Sequence, residues 1–219
     1  MKVFLFLIGS LLLVSCAALP AITAPPGGSG GKAFACPSPY PAGKNRFIHA
    51  IEVHRAGQAQ TVLVGVTLID PALRTISCAL VSAEGMALFE AASGPAGLTV
   101  SRALPPFDAK DFARNMMADI ELIFLAPRDA PVQKGVLAGG EAVCRHQGRG
   151  WTDVAAAPGG SVHIRHYSGA GGLKRSITLA GGGRPYATIE LHAADLFEYT
   201  LVMTLIESET IQDKPTQRQ

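Results

Sequence analysis

LPPFDAKDFARNMMADIELIFLAPR, residues 104–128, carries the long helical pattern around which a chain of short alternating segments and turns must fold. Pro105 and Pro106 block a helix upstream, Asp108 is placed to cap the first turn with Asp111 three residues on, and Pro127 stops the run. Phe112, Met116, Ile120 and Ile123 fall on one face at helical spacing, with Phe124 at its edge. Such a face needs a large apolar partner. Asp119 interrupts the stripe, because at about 100° per residue it projects between Phe112, Met116 and Ile123. A carboxylate there needs a donor or water. It either contacts a polar headgroup or accepts hydrogen bonds from backbone amides or from an arginine across the sheet, the ordinary arrangement for a buried carboxylate.

Upstream of the helix, alternation predicts five strands. Phe47, His49, Ile51 and Val53 share a face of the first, and Val62, Val64, Val66 and Leu68 share a face of the second. Residues 74–81, 86–91 and 98–102 supply three more, separated by Asp70-Pro71, Glu84-Gly85 and Gly94-Pro95. Downstream, residues 131–137 read as one further helical turn, and six strands follow over 141–147, 151–155, 161–167, 173–180, 185–192 and 198–206. About eleven strands, each with one mainly apolar side, predict a mainly β, α+β fold. A single antiparallel sheet this wide must curl, giving an unclosed barrel wrapped around one main helix. Where the helix fills the concavity only in part, an apolar cavity remains.

The N-terminus reads as an address. Lys2, an apolar run over residues 3–14 and Leu13-Val14-Ser15-Cys16 make a secretory signal too short to span a membrane permanently. Its end resembles a bacterial lipobox, which implies cleavage after residue 15 and acylation of Cys16. Ala17 and Ala18 follow where a retention Asp would stand, which implies the outer membrane, facing the periplasm. Removing residues 1–15 takes away one basic residue and leaves 18 basic against 17 acidic, a balance of +1 that argues against nucleic acid as partner. Residues 16–45, rich in proline and glycine, read as a tether reaching roughly 30 Å. The folded domain is expected over residues 46–206, and residues 207–219 form a polar tail. Besides Cys16 the mature chain has Cys36, Cys78 and Cys144, an odd set for pairing with Cys78 on an apolar strand face. A Cys36–Cys144 bridge suits an oxidising compartment; buried or free thiols are the alternative.

Catalytic and metal patterns are weak. His49, His54, His146, His163, His166 and His192 are scattered and expected to be exposed on strands, and His163 and His166 point to opposite faces of theirs. The chain has no G-x-S-x-G elbow, and its glycine-rich Gly169-Ala170-Gly171-Gly172 lacks phosphate-loop spacing. Arg145, Arg149, Arg165, Lys174 and Arg175 fall in neighbouring segments, either as a basic surface for anionic headgroups or as an ordinary solvated face.

The lipobox, the Pro/Gly stretch, five strands, Leu104-Pro105-Pro106 leading to Met117-Ala118-Asp119-Ile120-Glu121-Leu122, and the meander ending in Tyr199-Thr200-Leu201 together resemble a family of bacterial outer-membrane lipoproteins of unknown function. That family is related to LolB, the outer-membrane lipoprotein receptor, and occurs in aryl-polyene lipid gene clusters. The resemblance spans residues 46–206 and implies an incomplete barrel with an apolar cavity for acyl chains. The sequence departs from it in having no tryptophan between Phe124 and Pro127. On this reading Phe89, Phe112, Met116, Met117, Ile120, Ile123, Phe124, Leu201 and Met203 line the cavity and Asp119 makes a polar contact. The expected activity is non-enzymatic: binding an acylated ligand or membrane lipid, and assisting its transfer, with a periplasmic carrier protein as a further partner. Neither metal nor cofactor is expected beyond the acyl chains on Cys16. A structural lipoprotein docking a periplasmic partner, with a self-filled core, is the alternative.

Overall fold

The computed structural model describes residues 19–24, 34–194 and 198–212. Period-two alternation broken by turn residues yields hairpins, and here they accumulate into one 12-stranded antiparallel sheet. The first meander comprises β1 (Asn45–Arg55), β2 (Gln58–Asp70), β3 (Thr75–Val81), β4 (Ala87–Gly94) and β5 (Gly97–Ala103). Helix α1 (Phe112–Phe124) follows. The second meander comprises β6 (Gln133–Val136), β7 (Ala142–Gln147), β8 (Trp151–Ala156), β9 (Val162–Tyr167), β10 (Leu173–Ala180), β11 (Thr188–Ala193) and β12 (Tyr199–Thr210). Pairing of β1 with β12 joins the two, so the order runs β5-β4-β3-β2-β1-β12-β11-β10-β9-β8-β7-β6.

The sheet is therefore open, with β5 and β6 as its edges, and α1 lies in the link between those edges. Met117, Ile123 and Phe124 of the helix share one apolar core with Phe89 from β4, Phe47 from β1, Leu191 from β11, Ile177 from β10 and Val154 from β8. A core reaching both sides of the sheet requires the sheet to wrap around the helix, as the strand count predicts. The expected fold class is what the structure has.

Several expectations need correction. Residues 131–137 form no helical turn; Gln133–Val136 is a strand, held by pairing with β7. On β2 the inner face is Leu63, Gly65, Thr67 and Ile69, while Val64, Val66 and Leu68 lie half-buried on the outer face and Val62 is exposed. Val62, Val64, Val66 and Leu68 do share a face, as the alternation predicts, but both faces of that strand are apolar and alternation does not tell which is inner. The helix starts at Phe112, with Asp111 left-handed at φ 66° and forming no side-chain cap; Asp111 pairs with Arg114 at 2.7 Å. β12 runs to Thr210 and not 206.

The N-terminal stretch departs most from expectation. Cys16, the signal, residues 25–33 and the end of the tail, 213–219, lie outside the described residues. What is described of 16–45 is docked. Thr23 forms an antiparallel bridge to Val136 through N–H···O bonds of 3.0 and 2.9 Å, adding a rung to the β6 edge. Gly135 admits this approach, since any Cβ there would collide with the Thr23 carbonyl oxygen. Arg145 donates to the Pro20 carbonyl at 2.9 Å. Cys36 and Cys144 are joined as a disulfide, leaving Cys78 a free, buried thiol. Tyr40 is buried in the main core. A tether of about 30 Å is replaced by chain strapped to the second meander, with four peptide steps, at most ~15 Å, between Cys16 and Pro20.

The bridge spans a sequence separation of 108 residues, so its removal restores a large entropy to the unfolded chain. Cys36→Ala together with Cys144→Ala is expected to lower unfolding free energy by about 2–5 kcal/mol in urea titration. Non-reducing peptide mapping is expected to recover one linked pair with Cys78 alkylatable only after unfolding.

Candidate functional site

The helix is positioned by polar contacts at its middle and at its C-terminal end. Asp119 is 5% exposed and receives Arg175 Nε at 2.7 Å and the Tyr199 hydroxyl at 2.6 Å. The arginine from across the sheet, one of the two roles open to this carboxylate, is thus present. Arg175 also stands over the Tyr199 ring, 5.9 Å from its centroid. His166, beside this group, is pushed below the usual histidine range by burial and by the Arg175 charge, and its Nδ1 lies 3.1 Å from the Thr152 hydroxyl. At the C-terminal end, Arg74 of the β2–β3 turn reaches Glu121 and the Ala126 carbonyl, both at 2.9 Å.

Beneath the C-terminal end of α1 lies a cavity of about 360 Å³. Ile123 and Phe124 form its helical wall, Phe47, His49, Leu179 and Ile189 its floor, and Pro39, Pro41 and Ala42 of the strapped segment a side. Arg184, Pro185, Tyr186, Ser208, Glu209 and Thr210 border it. Asn45 fixes the strapped side: its amide donates to the carbonyls of Ala42 and Gly43 at 3.1 and 2.8 Å, and its oxygen accepts from Thr210 Oγ1 at 2.9 Å. Arg184 donates to the Tyr40 carbonyl at 3.2 Å. Glu209 pairs with Arg46 at 2.9 Å.

His49 is the unusual member of this wall. It is 1% exposed, with ring centroids 6.2 Å from Phe47 and 6.0 Å from Phe124, and Nδ1 has no hydrogen-bond partner. Burial lowers its pKa to about 4, so the ring is neutral near pH 7. The expectation that the histidines are exposed fails here, and the other five are only part-buried. His163 and His166 do take opposite faces, the first bonded to Thr178 and the second to Thr152.

Of the nine residues expected to line a cavity, Ile123 and Phe124 do so. Phe89, Met117 and Met203 are buried core, and Phe112, Met116, Ile120 and Leu201 pack partly buried against it. Phe89, Phe107 and Phe112 meet edge-to-face at 5.4 Å, which fills the trough at the N-terminal end of the helix. The basic cluster also dissolves: Arg145 is bidentate to buried Asp153 at 2.7 and 2.8 Å, Arg165 is bidentate to Glu141 at 3.1 Å, and Arg175 points inward to Asp119. Asp153, Glu141, Arg184 and the strapped prolines were not singled out beforehand. Only pairing across strands brings them to these places.

No family model matches the chain, and no curated protein matches it. Among solved structures, the chain is similar to the crystal structure of the LolA superfamily protein NE2245 from Nitrosomonas europaea, at 11% identity and a TM-score of 0.48, over 80% of this chain and 89% of that one.

Two outcomes follow from the buried polar groups. Asp119→Leu alone strips Arg175 of its carboxylate and is expected to cost about 3–5 kcal/mol in urea unfolding, whereas Asp119→Leu with Arg175→Leu recovers most of that loss. For His49, the unfolded chain takes up a proton near the ordinary value of 6.5, and the folded chain does not until about pH 4. Its depressed pKa therefore makes stability fall as pH drops through that window. Between pH 7 and 5 the wild type is expected to lose about 2 kcal/mol more than His49→Leu, followed by chemical denaturation at each pH.

Proposed function

We propose that the protein is a lipoprotein of the outer membrane, acylated on Cys16 and facing the periplasm, which holds an acyl chain of a lipid or acylated protein in the cavity beneath the helix C-terminus and assists its transfer. The observation that carries this reading is the cavity itself, a space of about 360 Å³ with Phe47, Ile123, Phe124, Leu179 and Ile189 on its inner side and a border of polar residues that includes Asn45, Arg184, Ser208, Glu209 and Thr210. That volume is at the lower end of the roughly 300–1,000 Å³ of small-molecule sites, so one chain enters rather than a bundle. The role requires no covalent chemistry. A chain passing between two dry hosts keeps its methylenes, worth about 0.8 kcal/mol each, out of water, so a small affinity difference sets direction.

A second reading has a specific observation behind it. The trough at the N-terminal end of α1 is filled by Phe89, Phe107, Phe112 and Met117, as in a self-filled body that docks a periplasmic partner by its surface.

Mass spectrometry of gently purified protein is expected to show a copurifying acyl compound in substoichiometric to equimolar amount. Ala42→Trp, at an exposed position of the cavity wall, is expected to abolish this copurification while leaving thermal stability unchanged. Protein free of lipid under mild extraction, together with crosslinking to a single protein in intact cells, would instead select the second reading.

A further inference from the structure

Two opposite charges border the same cavity and do not close on each other. Arg184 stands on the loop between β10 and β11 and Glu209 on β12, both exposed at the border. The Arg184 guanidinium is placed by a hydrogen bond from Nη1 to the Tyr40 carbonyl at 3.2 Å, and Tyr40 lies between Pro39 and Pro41 of the cavity side. Its charged head, and not only its stem, is therefore at the opening. Among the described residues it has no carboxylate partner. Glu209 meets the Arg46 guanidinium at 2.9 Å, but that guanidinium also meets Glu207 at 2.7 Å, so two carboxylates on β12 share one cation. With side-chain exposures of 42% for Arg46 and 54% for Glu209, water screens their pair, and such a pair is worth only about 0–1 kcal/mol. The mouth thus presents a positive charge free of a carboxylate on one element and a surplus negative charge on another.

We infer that the cavity takes a single-chain zwitterionic amphiphile of the lysophospholipid class, with its chain on the apolar inner side, its phosphate at Arg184 and its ammonium at Glu209. The inference rests on the acyl-binding reading above and adds the head group to it. A chain alone uses Phe47, Ile123 and Phe124 and leaves the polar border without a purpose. A purely anionic head satisfies Arg184 but is repelled by Glu207 and Glu209, and a purely cationic head meets the reverse difficulty. Arg46 and Arg184 balance Glu207 and Glu209, so the border offers no net field to a singly charged head, only local sites of each sign. The planar guanidinium, with one N–H given to Tyr40, keeps its remaining donors for phosphate oxygens, the geometry to which arginine is suited. Because both charged residues are exposed, neither end of the head group has to give up all of its hydration.

The test uses the full chain with Cys16→Ser, titrated calorimetrically below micelle concentrations with dodecylphosphocholine, dodecyl phosphate, dodecyltrimethylammonium and dodecanol. Dodecylphosphocholine is expected to bind about fivefold to tenfold more tightly than dodecanol, and more tightly than either singly charged probe. Arg184→Gln, which keeps a donor for the Tyr40 carbonyl, is expected to lower dodecylphosphocholine affinity about threefold to fivefold and to leave dodecanol unchanged. Glu209→Gln is expected to weaken dodecylphosphocholine likewise and to strengthen dodecyl phosphate. Equal binding of dodecylphosphocholine and dodecanol overturns the head-group inference and leaves the acyl cavity standing. Dodecyl phosphate as the tightest of the four overturns the zwitterion and makes the border a plain anion site. A preference that survives both substitutions removes Arg184 and Glu209 from the role. Failure of all four to bind overturns the acyl-binding reading itself.

Discussion

The β1–β12 ladder is the constraint on which the rest depends. It runs from Asn45 opposite Thr210 to His54 opposite Thr200, with one shift between Ile48 and His49. Each meander alone is a sheet with local hairpins and one poorly covered face. Joining the first strand to the last makes them a single wrapped surface, and it puts the free edges at β5 and β6, which are neighbours in sequence across the helix. The helix is thereby obliged to cross the concavity. Such a contact closes a loop of nearly the whole domain, and its entropy must be met by long strands; β1 and β12 are 11 and 12 residues long, among the longest in the sheet.

Two arginines then fix the helix in that position, one from each half. Arg175 on β10 holds Asp119 in mid-helix, and Arg74 between β2 and β3 holds Glu121 and the carbonyl of Ala126 just past the helix end. Apolar packing would tolerate a helix sliding by a turn. A charge-assisted bond with a 2.7 Å reach does not, since displacement would strand a buried carboxylate and a buried guanidinium together. The cavity persists under the C-terminal turn because the helix cannot slide to fill it, and because the far end is occupied by phenylalanine rings.

Local chemistry was legible in the sequence, and long-range register was not. Eleven of the observed strands answer to alternation bounded by Gly, Pro, Asp or Asn turns, and Asp119 announced the need for a polar partner, with an arginine across the sheet among the alternatives. β6 was missed because Gln133-Lys134-Gly135-Val136 has no strand pattern of its own; its backbone is organised by β7 on one side and Thr23 on the other. The apolar stripe of α1 identified the core, but nothing in a single helix tells which end stays unfilled. That is settled by Phe107 and Phe112 arriving at one end and Asn45, Pro39 and Pro41 at the other. His49 was visible as a histidine on an apolar face, yet only the β1 pairing places it at the floor of a space.

The strapped segment links the two ends of the proposed function. Chain that begins four residues after Cys16 is pinned at Pro20 by Arg145, at Thr23 by Val136 and at Cys36 by Cys144, and then becomes the cavity side at Pro39, Pro41 and Ala42. A free Pro/Gly linker of that length would let the domain wander some tens of Å from a membrane. On the proposed acylation of Cys16, the anchor would lie no more than ~15 Å of chain from Pro20, which would hold the β6 edge near the bilayer. On the proposed acyl-binding role, a body held this way would give up reach and gain a fixed presentation of its cavity. For a chain that must leave one dry host and enter another without meeting water, presentation matters more than reach, because the exposed methylenes of a single acyl chain set the height of the barrier.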